Sequence, residues 1–356
     1  LFTATLVAAK ANLNYPNVKR ENLSENKFGI VQHDPYRWME SHDSSALNQW
    51  IKKQNTLTDS WLEGDLKAEY MREFEEILTP KSFLPRVIQK DRLELDFRRR
   101  LRPGDDPFKE NLTSPNNRYE IKLLSDSGSD FKRLEIHDVE QERRLNDVLL
   151  VKFASIVWDE SGESFIYASD RDGRLGGGYP VVRRHKLGTT QAEDSELFES
   201  PSHDSFLTIG SVEGRLLLIV SHFDETKFAE LNSLTGDVRY IGSFRGATST
   251  AGYESPLLYV TTYDGANMGR IATLNIDSGQ TQTVIPEQPI ALDHAVVMNG
   301  DVYATYIKDT SSRLLKFPRG KLMPQVIELP DLGTAALDID EGQLAVSFQS
   351  YSQQSS

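Results

Sequence analysis

The sequence predicts a mainly β fold built from a repeated four-stranded unit and preceded by helices. Three observations carry that expectation. First, residues 149–170 read as strand, tight turn, strand: Val151 to Trp158 is β-branched and aromatic, Asp159-Glu160-Ser161-Gly162 supplies turn chemistry, and Phe165-Ile166-Tyr167 resumes the apolar run. Second, the unit recurs. Leu207–Ser221 turns at Glu213-Gly214, Tyr253–Tyr263 at Ser255-Pro256, Ala295–Ile307 at Asn299-Gly300 and Leu337–Phe348 at Glu341-Gly342. An earlier copy, Ser114–Ser125, turns at Asn116-Asn117, and successive turns lie 42 to 52 residues apart. Third, a second set of turns, Thr235-Gly236, Ser278-Gly279 and Arg319-Gly320, follows at steps of 43 and 41 residues. Two hairpins per step make four strands per step. A four-stranded repeat of about 40–45 residues is the period of a β-propeller blade, and six repeats are readable. An immunoglobulin-like array would need about 100 residues per unit.

Composition bounds the function. At 356 residues the chain is long enough for two domains. No apolar run reaches the ~20 residues of a membrane span, so no membrane partner is expected. A net charge of −13 argues against nucleic acid, whose binding rests on neutralising phosphates. With no cysteine there is no disulfide, thiolate metal site or cysteine nucleophile, which fits cytoplasm and periplasm alike.

In chain order, Leu1–Ala11 runs apolar into Ala9-Lys10-Ala11 and resembles the end of a secretory h-region with its cleavage site. Read so, the protein is periplasmic or secreted; read as an ordinary N-terminal strand, it is cytoplasmic. Residues 12–43 read as a loop, anchored by Tyr36 and Trp38 in the dense stretch His33–Glu40. Residues 44–64 predict a helix, capped by Asp43 or Ser44 and ended by Gly64, with Leu47, Trp50, Ile51, Leu57, Trp61 and Leu62 on one face. A second helix spans about 65–78, its apolar side carrying Leu66, Tyr70, Phe74 and Ile77. Since a propeller fills its own core, these aromatic faces call for another partner. Residues 81–113, with Arg98-Arg99-Arg100, make the weakest repeat; the basic run reads as a solvated loop face. Regular repeats then continue to a polar tail at Gln349–Ser356.

Several signals look chemical without being sites. Gly173–Gly178 has phosphate-loop composition but opens no helix, so it reads as an inter-strand loop. The carboxylates Asp224-Glu225, Glu193-Asp194, Asp338 and Asp340 stand near turns without calcium-loop spacing. Of the histidines, His185 falls in a strand-like run, and His33, His42, His137, His203, His222 and His294 fall mostly by loops. No His-Glu-x-x-His or Gly-x-Ser-x-Gly is present. No catalytic residue, cofactor site or metal site is read in the chain.

A set of motifs nevertheless resembles one family. Tyr15-Pro16, Asp34-Pro35-Tyr36-Arg37-Trp38-Met39-Glu40, then Trp50 with Gln54-Asn55, Thr58 and Leu62, is similar to the N-terminal signature of the prolyl oligopeptidases. Gly128-Ser129-Asp130, the blade start Lys152-Phe153 to Trp158, His185–Thr189 with Glu193-Asp194, Ile327–Pro330 with Gly333-Thr334, and Ser347–Tyr351 resemble later stretches in the same order. The resemblance implies a seven-bladed propeller after a helical extension that packs on an α/β-hydrolase domain. That domain follows the propeller and carries a Ser-Asp-His triad that cuts short peptides after proline, or after Arg or Lys in a related branch. The propeller covers the site and excludes folded proteins. On this reading residues 1–79 are the extension, 80–350 the propeller and 351–356 a linker toward the hydrolase domain. The partners are that domain and short proline-containing peptides. Phe153 matches a propeller position that borders the peptide pocket, so it is the expected substrate-binding residue. The chain departs from the family between Thr79 and Ser114, where the family has much more sequence, and in lacking a cysteine on a propeller loop. The competing reading is a free-standing propeller that binds peptides or proteins.

Overall fold

Repeated hairpin chemistry becomes separate antiparallel sheets. The structure, a computed structural model, describes residues 14–40, 44–62, 64–78, 112–125, 130–170, 179–340 and 343–350. The chain divides into two compact units, Leu1–Ser82 and Phe83–Ser356.

In the first unit, β1 (Ser24–Lys27) pairs with β2 (Ile30–His33) through a two-residue turn. This corrects the loop expected over 12–43. Both strands are short and largely exposed, and the two apolar residues of β2, Ile30 and Val31, are adjacent, so no apolar alternation marks them; Phe28 and Gly29 close the turn with φ of 57° and 81°. Tyr36 and Trp38 anchor the segment as expected. Trp38 Nε1 donates to the Lys19 carbonyl at 2.9 Å, and the Arg20 guanidinium lies 5.5 Å from the Tyr36 ring centroid. Arg37 donates to Asp34 at 2.6 Å and, through both terminal nitrogens, to Glu25 at 2.9 and 3.1 Å. Hydrogen bonds from Arg37 and then Lys27 lower the Glu25 carboxyl to about 2. His33 is held by Ser24 Oγ at 2.7 Å.

The helices follow as α1 (Ser45–Leu62) and α2 (Asp65–Leu78). Ser44 Oγ accepts from the Leu47 N–H at 3.4 Å, the capping contact its sequence position predicts. Gly64 serves α2 as well: its carbonyl accepts from the N–H groups of Lys67 and Ala68 at 3.1 and 3.4 Å. Leu47 is buried, whereas Ile51, Trp61, Leu62, Tyr70, Met71 and Phe74 are exposed.

In the second unit, sheet 1 is β3 (Tyr119–Ser125), β4 (Phe131–Asp138) and β5 (Arg143–Lys152), with Thr113 bridged to Glu120 beyond β3. Four strands make sheet 2: β6 (Ser155–Trp158), β7 (Ser164–Asp170), β8 (Pro180–Lys186) and β9 (Ser195–Glu199). Sheet 3 is β10 (Phe206–Val212), β11 (Arg215–Ser221), β12 (Glu225–Leu231) and β13 (Val238–Arg245). Sheet 4 comprises β14 (Thr248–Glu254), β15 (Leu257–Thr262), β16 (Arg270–Asn275) and β17 (Thr281–Ile285). Sheet 5 comprises β18 (Ala291–Met298), β19 (Asp301–Lys308), β20 (Ser311–Phe317) and β21 (Gln325–Ile327). Sheet 6 pairs β22 (Gly333–Asp340) with β23 (Gln343–Ser350), so the last strand runs one residue past the start of the tail read from sequence.

Each sheet pairs its strands in chain order, and the expected turns within the described residues sit between them, except Asn116-Asn117, which joins the bridge at Thr113 to β3. Glu213-Gly214 and Asn299-Gly300 have φ near 50–54° and 75–77°, the primed turn whose twist matches the strands it joins. The second strands β7, β11, β15 and β19 carry five consecutive buried residues each. A strand covered on both faces has a sheet stacked on either side, the condition of a propeller blade. The five buried clusters agree, since each joins two consecutive sheets: Ile121 and Leu149 meet Trp158 and Phe165 between sheets 1 and 2, and Ala251 and Ile271 meet Val302 and Phe317 between sheets 4 and 5. First strands of neighbouring sheets touch, as β6 does β10 and β18 does β22. The second unit is a β-propeller with six sheets among the described residues.

Two sequence expectations need correction. Val151 to Trp158 is not one strand: β5 ends at Lys152 and β6, in the next sheet, begins at Ser155. The break is Phe153, whose φ of 49° leaves the extended region and turns the chain between sheets. The histidines are also less loop-bound than expected, because His33, His137 and His294 lie on β2, β4 and β18. His42, the cap candidate Asp43, the basic run Arg98–Arg100, Gly128-Ser129, Gly173–Gly178 and the turn Glu341-Gly342 lie outside the described residues, as do Leu1–Ala11 and 351–356.

Candidate functional site

Phe153 stands where the chain passes from sheet 1 to sheet 2, at the end of the sheets from which the first strands begin. Its positive φ turns the side chain outward, and 52% of the residue is exposed. Phe206, the first residue of β10, meets it edge to face, with ring centroids 5.8 Å apart and planes at 64°. Lys152 packs beneath: its Nζ lies 4.9 Å from the Phe153 centroid and 5.4 Å from that of Phe131, the first residue of β4. Asp170 balances the charge with Oδ2 at 3.6 Å from Nζ. Since only 12% of the Lys152 side chain is exposed, its ammonium supports the rings from below. Backbone contacts fix the arrangement. Lys152 N–H donates to Ser169 Oγ at 2.8 Å, and Ile209 N–H donates to Ser155 Oγ at 2.9 Å, tying β6 to β10. On the same end Tyr179 stacks on His203, with centroids 3.7 Å apart.

The cluster exposes the aromatic faces of Phe153 and Phe206 to solvent. No nucleophile paired with a base is seen among its residues, and no group of three or more His, Asp or Glu able to hold a metal occurs among the described residues. Nor is any helix of the described residues long and apolar enough to cross a membrane. Sequence reasoning named Phe153 and missed Phe131, Lys152, Asp170 and Phe206 as its neighbours. The available signal was positional: Phe131 and Phe206 each open a strand, and Lys152 precedes Phe153 in the family motif.

A second polar constellation lies buried between sheets 1 and 2, toward the opposite end of β7 and β8. The fully buried His185, on β8, places Nδ1 2.7 Å from Asp194 Oδ1 and Nε2 3.3 Å from Asp147 Oδ2. Tyr167 O–H donates to Asp194 Oδ2 at 2.6 Å, and Gly188 N–H donates to Asp147 Oδ2 at 2.6 Å. Burial disfavours the charged imidazole, but Asp194 and then Asp147 outweigh it and raise the His185 pKa. Burial, followed by the bond to Asp194, raises the Tyr167 phenol. Beside them Gln191 pairs with the Leu150 backbone in both directions at 3.0 Å, like an extra strand. Asp147 and Leu150 belong to β5, and the rest to β7, β8 and the connection from β8 to β9, so the group is a clasp between two sheets. With its imidazole sealed from solvent, this Asp-His pair is structural.

The comparisons with known proteins follow the same line. The family described as prolyl oligopeptidase, N-terminal beta-propeller domain, matches residues 108–353. The chain belongs to this family. It is 26% identical to a prolyl endopeptidase of Elizabethkingia miricola over 397 residues, covering 98% of this chain and 56% of that protein. Against the prolyl endopeptidase of Elizabethkingia meningoseptica the identity is 25%, covering 94% and 53%. The chain therefore spans about half the length of the curated relatives it matches. Among solved structures, a prolyl endopeptidase superposes with a TM-score of 0.71 at 18% identity, over 96% of this chain and 57% of that one. Prolyl oligopeptidase B from Galerina marginata, bound to a 25-residue macrocyclization substrate, gives 0.65 at 17% identity, over 96% and 58%. These superpositions establish the shared fold of a propeller with its N-terminal extension.

Proposed function

We propose that the chain is the non-catalytic N-terminal and propeller part of a serine endopeptidase that hydrolyses short peptides after proline, the propeller restricting access to the site. The observation that carries this reading is the family match over 108–353, joined to relatives that are prolyl endopeptidases of about twice the length. The triad belongs, on this reading, to a C-terminal α/β-hydrolase domain: serine attacks the carbonyl, histidine relays the proton and aspartate orients the histidine. The exposed Ile51, Trp61, Tyr70, Met71 and Phe74 of α1 and α2 supply an apolar surface suited to that domain. Phe153 and Phe206 supply the aromatic faces on which the peptide's apolar residues rest.

Two measurements test it. The 356-residue chain alone will not hydrolyse a proline-containing chromogenic peptide, because triad residues act as one unit and none is read in this sequence. Turnover by purified chain that a serine-directed inhibitor abolishes would refute the reading. The coding sequence after Ser356 is the second test: a Gly-x-Ser-x-Gly within an α/β domain supports it, and an immediate stop codon favours the free-standing binding module. We further place the protein in the periplasm or outside the cell if Leu1–Ala11 is a signal remnant. N-terminal sequencing of the mature protein from cells decides this, and a mature chain that retains the segment refutes it.

A further inference from the structure

The second turns of three successive sheets are built alike and packed differently. Gly236, Gly279 and Gly320 follow Thr235, Ser278 and Arg319 and share φ of 78°, 73° and 70°. At Gly236 a Cβ would fall 2.4 Å from the Leu197 carbonyl oxygen of β9, and at Gly279 it would fall 2.5 Å from that of Ile241 in β13. Each of these turns is pressed against the outer strand of the preceding sheet. The seam is then sealed by arginines: Arg184 donates to the Ser233 carbonyl at 2.6 Å, and Arg239 to the Ile276 carbonyl at 3.0 Å. Gly320 has nothing within 4 Å of its Cβ position. Its turn stands off sheet 4, and the gap is a cleft of about 440 Å³.

That volume lies within the usual range of small-molecule sites, about 300–1,000 Å³. Val284 and Leu322, over the buried Tyr259, Val302 and Phe317, form its apolar part, and Thr273, Gln282 and Thr283 form a polar wall. Among the described residues Arg319 and Lys321 are its only charged lining, although the chain as a whole carries a net charge of −13. Arg319 leans toward Glu254 at 3.7 Å, and no ion pair engages Lys321 among the described residues. A slot that mixes apolar side chains with the hydroxyls of Thr273 and Thr283 and the amide of Gln282, and that carries two cations, one of them facing Glu254, with no carboxylate among its described lining residues, suits a carboxylate carried on a partly apolar body. We propose that the seam between sheets 4 and 5 is a binding site for such an organic carboxylate, separate from the Phe153 site. A free aryl or alkyl acid and the C-terminus of a peptide ending in an apolar residue both present this group. The proposal does not depend on the peptidase reading.

Titration calorimetry of the chain with 4-phenylbutyrate and with N-acetyl-leucyl-phenylalanine tests it and tells the two sources apart. Saturable binding of either probe is expected, at least tenfold weaker for the corresponding amide. Binding should also fall at least tenfold in Lys321→Gln with Arg319→Gln, and in Gln282→Trp, which fills the cleft from β17. All three positions are exposed, and unchanged circular dichroism will show that the variants remain folded. The proposal is overturned if neither probe binds, if the amide binds as well as the acid, or if the folded variants bind like the parent.

Discussion

Replacing His185 with Leu removes the cation from a buried trio and leaves Asp147 and Asp194 facing an apolar side chain. In the parent both ring nitrogens face carboxylate oxygens, at 2.7 and 3.3 Å, and neither His185 nor Asp194 side chain has any exposure. Breaking a buried charge set by deleting one partner costs about 3–5 kcal/mol, most of it from the uncompensated charge left behind. At about 2–4 °C per kcal/mol for a domain of this class, the thermal midpoint should fall by roughly 6–20 °C. The pH dependence has a definite sign. Because the folded-state pKa of His185 is raised, its protonation stabilises fully below the unfolded value, about 6.5, and the contribution fades as pH climbs through the folded value. The gap between parent and variant should therefore be widest near pH 6 and narrow toward alkaline pH. Asn at position 194 in the His185→Leu background should restore part of the loss, since one stranded charge is gone. Thermal melts followed by circular dichroism from pH 6 to 10 check all three points. A midpoint shift below 2 °C, or a gap that does not change with pH, would show that the imidazole is not the cation of a buried clasp.

Three further outcomes follow from the packing. Gly279→Ala should destabilise more than Gly320→Ala in denaturant titrations: both pay roughly 1–2 kcal/mol for a left-handed backbone, but only Gly279 also meets a carbonyl oxygen, at 2.5 Å. Trp158→Ala should cost about 3–5 kcal/mol, because Trp158 is buried between sheets 1 and 2 with Phe165 edge-on at 5.1 Å; a midpoint that hardly moves would contradict this packing. In a protein that carries the proposed hydrolase domain, Phe153→Ala should lower kcat/KM for a proline peptide, and loss of the contacts to Phe206 and Lys152 should lower the melt only modestly. Half-burial of the ring against substrate contributes about 0.75–1.5 kcal/mol, which corresponds to roughly fourfold to twelvefold, and an unchanged kcat/KM would remove Phe153 from the pocket.

How much of this was legible depends on what each feature asks of single residues. Turns such as Asn299-Gly300 require positive φ at both positions, so only a few residue types suit them and their spacing could be read directly. Strands like β11, buried on both faces, demand an unbroken apolar run, which Leu216 to Val220 supplies. The break at Phe153 left no such mark, because it interrupts a run of apolar residues and uses an aromatic residue, not glycine, at φ 49°. The β1–β2 hairpin was hidden for the opposite reason: on an exposed surface its apolar residues, Ile30 and Val31, fall side by side and carry no period to detect. His185 read as one more strand residue, since its partners come from β5 and from the turn before β9 and meet only when two sheets stack. Of the candidate site, Phe153 alone was legible, through the family motif; Phe206 reaches it from another sheet.

The seams make the same point at a larger scale. A turn's sequence determines its own backbone, which is why Gly236, Gly279 and Gly320 share one φ. What the turn touches is decided by side chains on other strands. In the seams before sheets 3 and 4, arginines of the earlier sheet reach forward: Arg184 to Ser233, and Arg215 and Arg239 to Ile276, with Arg215 also on Asp277 at 2.6 Å. These charge-assisted bonds satisfy turn carbonyls that would otherwise need water, and so hold each turn down on the neighbouring strand. In the seam before sheet 5 the polarity is reversed. Its arginine, Arg319, is part of the turn itself and reaches back to Glu254, and Arg270 of sheet 4 is occupied with Asp264 and Thr283 of its own sheet. Among the described residues no such bond draws Gly320 onto β17, and the cleft stays open. One repeat thus yields closed seams and an open one from the same turn chemistry, because the placement of arginine, free to vary without disturbing the strands, decides which faces seal.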